Sequence, residues 1–98
     1  MDKEDFLKKI EIELKISKNS VYTLKNYLKS NEFLLDFSKK FPEDVTEDDV
    51  KFYIAENLSE RSAISIIMFL AAVKFAYSSI LKRDITSAIK RPKREKKI

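Results

Sequence analysis

The side chains best suited by type and spacing to do chemistry are cationic and lie along one short segment. Lys18, Tyr22, Lys25 and Lys29 recur at steps of three and four residues, the spacing that places side chains on one face of an α-helix. Ammonium groups in such a row can neutralise the phosphates of a polyanion and release its counterions. The same spacing also fits a solvated helix face, so the row alone leaves both interpretations open.

Polar residues elsewhere could extend such a surface. Asn19 and Asn26 carry amides that are able to pair with the edges of bases. Ser62 and Ser65 can cap a helix, seat a phosphate at its N-terminus, or do both. Lys82 is a further cationic candidate.

Positive charge is concentrated at the C-terminal end of the chain. Residues 1–81 hold 12 Lys and Arg against 14 Asp and Glu, whereas residues 82–98 hold 8 against 2. We expect residues 1–89 to form one helical domain and residues 90–98 to form a basic linker or tail. This tail could track a polyanion backbone or could be a solvated terminus. Its candidate contact residues are Lys90, Arg91, Lys93 and Arg94.

Several classes of function are disfavoured by the residue types that the chain lacks, because its 98 residues include no His, no Cys and no Gly. Without Cys and His we expect no disulfide, no metal site and no redox chemistry, and the commonest general base near neutral pH is missing. Without Gly there is no phosphate-binding loop of the P-loop or dinucleotide type. We therefore expect a cytoplasmic binding domain that is not an enzyme and needs no cofactor.

The elements that must position these residues are helical. The apolar spacing predicts an all-α fold, a small bundle of four helices. We expect Asp2 to cap the first helix and Thr46 with Asp49 to form a capping box at the third. We also expect the second helix to kink or break near Asn31, and a short fifth helical turn at 85–89.

The fourth helix has two possible environments. From Ala63 to Leu81, Lys74 is the only charge in 19 residues, a length that can span a membrane. However, Lys74 near the middle costs roughly 2.5–3.5 kcal/mol in a bilayer, and each of the other helices carries an apolar stripe that needs a partner. We expect a buried core helix without membrane contact, and a tail-anchored membrane protein is the rival interpretation. In the bundle, Lys74 either extends to solvent or contacts a phosphate.

Four short motifs follow one another along the chain. Residues 17–21 read Ser-x-Asn-x-Val, and residues 45–55 read Val-Thr-x-x-Asp-Val-x-x-Tyr-Ile-Ala. Residues 62–74 read Ser-x-x-Ser-Ile-x-x-x-Leu-x-Ala-Val-Lys, and Arg-Pro-Lys-Arg stands at 91–94. In this order and at these spacings the motifs resemble the N-terminal core-binding domain of tyrosine recombinases, the enzymes of the phage-integrase and Xer type. The resemblance covers essentially the whole chain.

The resemblance implies a SAM-like orthogonal bundle whose second and fourth helices press onto double-stranded DNA. It also implies a basic linker to a separate catalytic domain of the same recombinase, contacts between protomers in a synaptic complex, and no catalysis by this domain alone. The chain departs from the pattern by a short insertion around 31–34. It also has Met68 and Phe69 where bacterial members commonly have arginines, which makes it more similar to archaeal Xer-type members.

A helical protein–protein interaction module is the main alternative to DNA binding. In that interpretation an exposed apolar face binds a partner helix, and the basic tail only keeps the chain in solution. Duplex binding that weakens steeply with salt separates the two, because only a phosphate-contacting surface releases counterions.

Overall fold

The computed structural model of the chain describes residues 1–89 and contains four α-helices and no strand in that range. The all-α, four-helix prediction is confirmed. Two short π-helical turns, at Ile54–Leu58 and Tyr77–Leu81, extend the third and fourth helices, and a one-turn 3₁₀ helix at Pro42–Asp44 precedes the third. The helices are α1 (Lys3–Ile16), α2 (Val21–Ser38), α3 (Glu47–Tyr53) and α4 (Ala63–Ala76).

The helices begin at the residues that local sequence chemistry indicates. The Asp2 carboxylate accepts a hydrogen bond from the Asp5 backbone N–H at 2.9 Å and caps α1. At α3, the Thr46 hydroxyl accepts from the Asp49 N–H at 3.3 Å, while the Asp49 carboxylate accepts from the Thr46 N–H at 2.9 Å. Both caps satisfy backbone donors that a first helical turn leaves unpaired. The capping-box prediction is confirmed.

The α2 helix runs without interruption through the position where the sequence predicts a kink or a break, so the helix does not break there. Asn31, only 1% exposed, lies within the helix and donates from Nδ2 to the backbone oxygens of Tyr27, at 2.9 Å, and of Ala72 on α4, at 3.2 Å. The apolar register changes at Asn31, where the helix turns a polar side chain into its contact with α4. Beyond this point Leu34 and Leu35 are buried.

Helix α4 is the core of the bundle. It packs against α2, and the π-helical turn that follows it packs against α1, where the Tyr77 ring lies 5.1 Å from the Phe6 ring. The stretch Ala63–Leu81 is long and apolar enough to cross a membrane by length and composition, a property that it shares with core helices of soluble proteins. Its fully buried positions include Leu70, Val73 and Ala76.

The segment after the second π-helical turn contains one hydrogen-bonded turn within the predicted range 85–89, in which the Ile89 N–H donates to the Thr86 carbonyl at 3.1 Å. The Asp84 carboxylate accepts from the Thr86 N–H at 2.8 Å and from the Thr86 hydroxyl at 2.6 Å, a side-chain turn that competes with helix. Arg83 donates to the Val45 carbonyl and lies over the Tyr77 ring, 5.8 Å from its centroid. Together with the buried Ile85 and Thr86, these contacts tie the segment to the bundle.

Three helices end in a left-handed residue, and each of these is a lysine. Within residues 1–89, the positive φ angles belong to Lys18, Lys39 and Lys82, at 57°, 54° and 57°. Glycine is the usual residue at such an end because its missing Cβ removes the clash with the following carbonyl. A chain without Gly accepts the strain of roughly 1–2 kcal/mol at each left-handed position.

Replacing Lys39 by Gly is expected to raise the free energy of unfolding by about 1 kcal/mol, because the new residue adopts the left-handed end of α2 without strain. Urea denaturation followed by circular dichroism measures the change. Lys39→Ala is the matched control, since it removes the same charge and keeps the Cβ. An equal gain in both variants would contradict the prediction.

Candidate nucleic-acid interface

A groove of about 420 Å³ separates α2 from the beginning of α4. We call it the α2–α4 groove. Residues of the π-helical turn and the loop after it, Asn57, Leu58 and Arg61, also line it. The α2 wall is formed by Tyr22, Asn26, Ser30 and Phe33, and the α4 wall by Ser65, Met68 and Phe69.

A layer of stacked aromatic rings forms the inner side of this groove. The Tyr53 and Phe69 rings are stacked, with centroids 4.7 Å apart and an interplanar angle of 20°. The Phe37 ring meets Tyr53 edge-on at 5.5 Å, another favourable geometry for aromatic pairs. Burial raises the pKa of the Tyr53 hydroxyl, and the positive charge of Arg61 opposes that rise. The inner side is therefore apolar and well packed, with a cation near it.

Asn31 fixes how the two walls of the groove face each other. Its Nδ2 joins α2 to the Ala72 carbonyl of α4 across 41 residues of sequence. Within the described range, its Oδ1 atom is buried and has no hydrogen-bond partner. A directional bond in an otherwise apolar contact opposes sliding of one helix along the other, which hydrophobic packing alone resists less.

The basic row predicted on the second helix is only partly on α2, because Lys18 lies before it, in the left-handed turn after α1. The other members of the row spread over two sides of α2. Tyr22 is 72% exposed and lines the α2–α4 groove. Lys29 instead borders a shallow depression shared with α1, where Glu4, Glu11 and Glu32 are its neighbours. Lys18 and Lys25 are exposed, and among the residues that the structure describes neither forms an ion pair. The lysines of this row that have no carboxylate beside them, Lys18 and Lys25, therefore lie just before α2 and in its N-terminal half.

Two of the predicted contact residues have local roles. The Asn19 amide donates to the Leu14 carbonyl at 3.4 Å and closes the end of α1. The Ser62 hydroxyl accepts from the Ser65 N–H at 3.4 Å and caps α4. Of Ser62 and Ser65, which the sequence offers as caps, the structure uses Ser62. A capping hydroxyl stays available to a phosphate at the same helix end, whereas the Asn19 amide is partly engaged.

Lys74 lies away from the α2–α4 groove. Lys74 follows Ser65 by nine positions, about two and a half helical turns, so the two side chains project from opposite sides of α4. The Lys74 ammonium lies 3.9 Å from the Asp84 carboxylate. Lys82 is exposed in the left-handed turn at the far end of the α4 stretch. Lys90, Arg91, Lys93 and Arg94 lie outside the described residues.

The groove also contains residues that the sequence did not single out, foremost Arg61. It is the only arginine among the first 82 residues and stands between Ser59 and Ser62, a signal that could have identified it. Asn57 is a weaker candidate for contact with a ligand, because its amide donates a hydrogen bond to the Tyr53 carbonyl at 3.2 Å. Phe33 gives no signal distinct from that of a core aromatic.

Two of the four tyrosines lie in the interior of the bundle. The Tyr77 ring is fully buried, its hydroxyl has no partner within residues 1–89, and burial raises its pKa far above the ordinary value. Tyr53 is buried as well. In the same range no group of His, Cys, Asp and Glu is arranged to hold a metal ion.

Comparison with known proteins gives one match. Residues 6–87 match the family model described as phage integrase, N-terminal SAM-like domain. No curated protein and no solved structure matches the chain. The matched range includes all of α2, α3 and α4, most of α1, and every residue of the α2–α4 groove.

Replacing Asn31 by Asp should lower the free energy of unfolding by roughly 2–4 kcal/mol at pH 7, because a buried carboxylate has no donor there and repels the Ala72 carbonyl. Burial raises the pKa of the new carboxyl above its unfolded value, so the destabilisation grows as pH rises through that window and shrinks toward pH 4. Denaturation at both pH values measures it. Asn26→Asp, at a partly exposed position of the same helix, is the control, and an equal destabilisation there would contradict the proposed role of Asn31.

Proposed function

The chain belongs to the family of phage integrase N-terminal SAM-like domains, and on that premise we propose that it clamps double-stranded DNA at the recombination site of a tyrosine recombinase. Such a domain is the non-catalytic part of an integrase, and catalysis is the task of a separate C-terminal domain. We assign the DNA-binding domain to residues 1–89 and the linker to residues 90–98. The partners of the proposed domain are duplex DNA, the catalytic domain of the same recombinase, and neighbouring protomers in a synaptic complex.

The observation that carries the proposal is the unneutralised charge on α2. Lys25 and Lys29 on α2, and Lys18 just before it, form no ion pair among the described residues, whereas the ammonium groups of Lys3, Lys15, Lys40 and Lys74 do. Other exposed lysines, such as Lys9 on α1 and Lys51 on α3, are unpaired in that range as well, but they are not grouped along one short segment as Lys18, Lys25 and Lys29 are. Cations that lack a protein partner keep their full attraction for phosphates. The carboxylates near Lys29 reduce that attraction on the α1 side, so we place the duplex toward Lys18, Tyr22 and Lys25.

The remaining polar candidates divide by position. Asn26 and Ser65 line the α2–α4 groove beside the proposed duplex, with Ser62 at the start of its α4 wall. Lys82 and the tail residues could reach phosphates further along the backbone. Met68 and Phe69, in place of arginines, reduce the density of phosphate contacts from α4 and favour an archaeal Xer-type member. A cytoplasmic location follows from this assignment.

Replacing Lys25 and Lys29 together by Ala should weaken duplex binding by a similar factor on every sequence, because phosphate contacts carry no sequence information. The slope of log affinity against log salt should fall by about 0.9 for each phosphate that the variant no longer neutralises. Fluorescence anisotropy on two unrelated duplexes at several salt concentrations measures both quantities.

The matched control for this variant is the double substitution Lys9→Ala and Lys51→Ala, which removes the same charge from α1 and α3. If the control pair weakens binding as much as the α2 pair, the net charge of the chain and not the α2 surface governs affinity. That result would overturn the assignment of α2 as the surface that binds DNA.

One observation favours the alternative function, a helical protein–protein interaction module. Phe41 and Phe52 are 61% and 63% exposed, and Phe52 borders a shallow depression with Lys51 and Ala55. Exposed aromatic side chains often mark a surface for a protein partner. Duplex binding without salt dependence, or no duplex binding at all, would favour this alternative.

A further inference from the structure

The α2–α4 groove is concave, and this shape limits what part of DNA can enter it. Asn26, Ser65 and Met68 are partly buried between the two helices, while the more exposed Tyr22 and Arg61 lie at its rim. Base edges in a regular duplex lie at the bottom of a major groove that is roughly 8.5 Å deep. Only a protruding protein element reaches them, so recessed side chains cannot read stacked bases.

The composition of the groove does not match a phosphate site. Arg61 is the single cation among its lining residues, and the structure describes all of them. The other side chains include aromatic rings, the Met68 thioether and the amide of Asn26. Phosphate sites instead gather several cations or backbone N–H groups. The groove therefore offers an apolar contact surface together with a few hydrogen-bonding groups.

A nucleobase has the complementary combination of an apolar face and a polar edge. Phe33 is 50% exposed although it lines the groove, which leaves part of an aromatic ring available for a base to stack on. Asn26 and Arg61 carry donors that suit the polar edge of a base. The volume of about 420 Å³ lies within the range of small-molecule sites, roughly 300–1,000 Å³.

We propose that the α2–α4 groove binds a single nucleobase that has left the helical stack of the bound DNA. The apolar side chains of Phe33 and Met68 contact its face, and Asn26 and Arg61 hydrogen-bond to its edge. The inference rests on the proposed function, because α2 must already lie on DNA for a displaced base to reach the groove. It gives the domain a preference for distorted DNA over a regular duplex.

The test compares two probes with the full chain: a duplex of about 20 base pairs, long enough to cover the domain, and the same duplex with one unpaired adenine inserted in the middle of one strand. Fluorescence anisotropy is expected to show roughly tenfold tighter binding of the bulged probe, the size of effect that one stacked base provides. Phe33→Leu and Arg61→Ala should each reduce this preference to about twofold or less while regular duplex binding persists. Circular dichroism confirms that both variants fold.

The α2 double variant Lys25→Ala and Lys29→Ala provides the control, because it should weaken binding of both probes equally and preserve their ratio. Equal, salt-dependent binding of the two probes by the unmodified chain overturns this inference and leaves the proposed function standing. A preference for the bulge that survives in both groove variants also overturns it, since the preference then comes from easier bending of the probe. Failure to bind either probe overturns the proposed function and the inference together.

Discussion

The Asn31 side chain crosses from α2 to the Ala72 carbonyl of α4 inside an interface that is otherwise apolar. A buried amide is costly unless its hydrogen bonds are made, so the two helices are favoured in the one register where this bond forms. That register sets which residues face each other across the α2–α4 groove. The aromatic stack of Tyr53 on Phe69 then brings α3 against the same pair of helices. The same contact therefore relates the packing of α2 on α4 to the shape of the groove.

Local sequence chemistry is sufficient to predict the helix starts, and long-range contacts account for the errors. Caps such as Asp2 and the Thr46–Asp49 box involve residues three apart, which can be paired directly along the sequence. By contrast, the Asn31 bond spans 41 residues and the contact of Arg83 with Val45 spans 38. Periodicity contains no information about such partners, so it indicates a break in a helix that is continuous.

In the candidate site too, local spacing predicts some of the residues and long-range contacts determine the others. Spacing along α2 places Tyr22 and Asn26 on one face, because helical geometry alone determines it, and the groove brings Ser65 opposite them. Spacing cannot show that Lys74 lies near Asp84 or that Asn19 closes α1, since each depends on a neighbour that the pattern does not identify. Helical periodicity does not identify Arg61, because this residue lies in the loop before the cap of α4.

The segment from Arg83 to Thr86 is held against the bundle, so it is the first part of the domain to bear a force applied to the chain beyond it. A pull on the chain beyond Thr86 is borne first by the Arg83 bond to Val45 and by the buried side chains of Ile85 and Thr86. The backbone hydrogen bonds of the α4 stretch are loaded only after these contacts yield. These contacts therefore stand between a load on the C-terminal segment and the helix at the centre of the core.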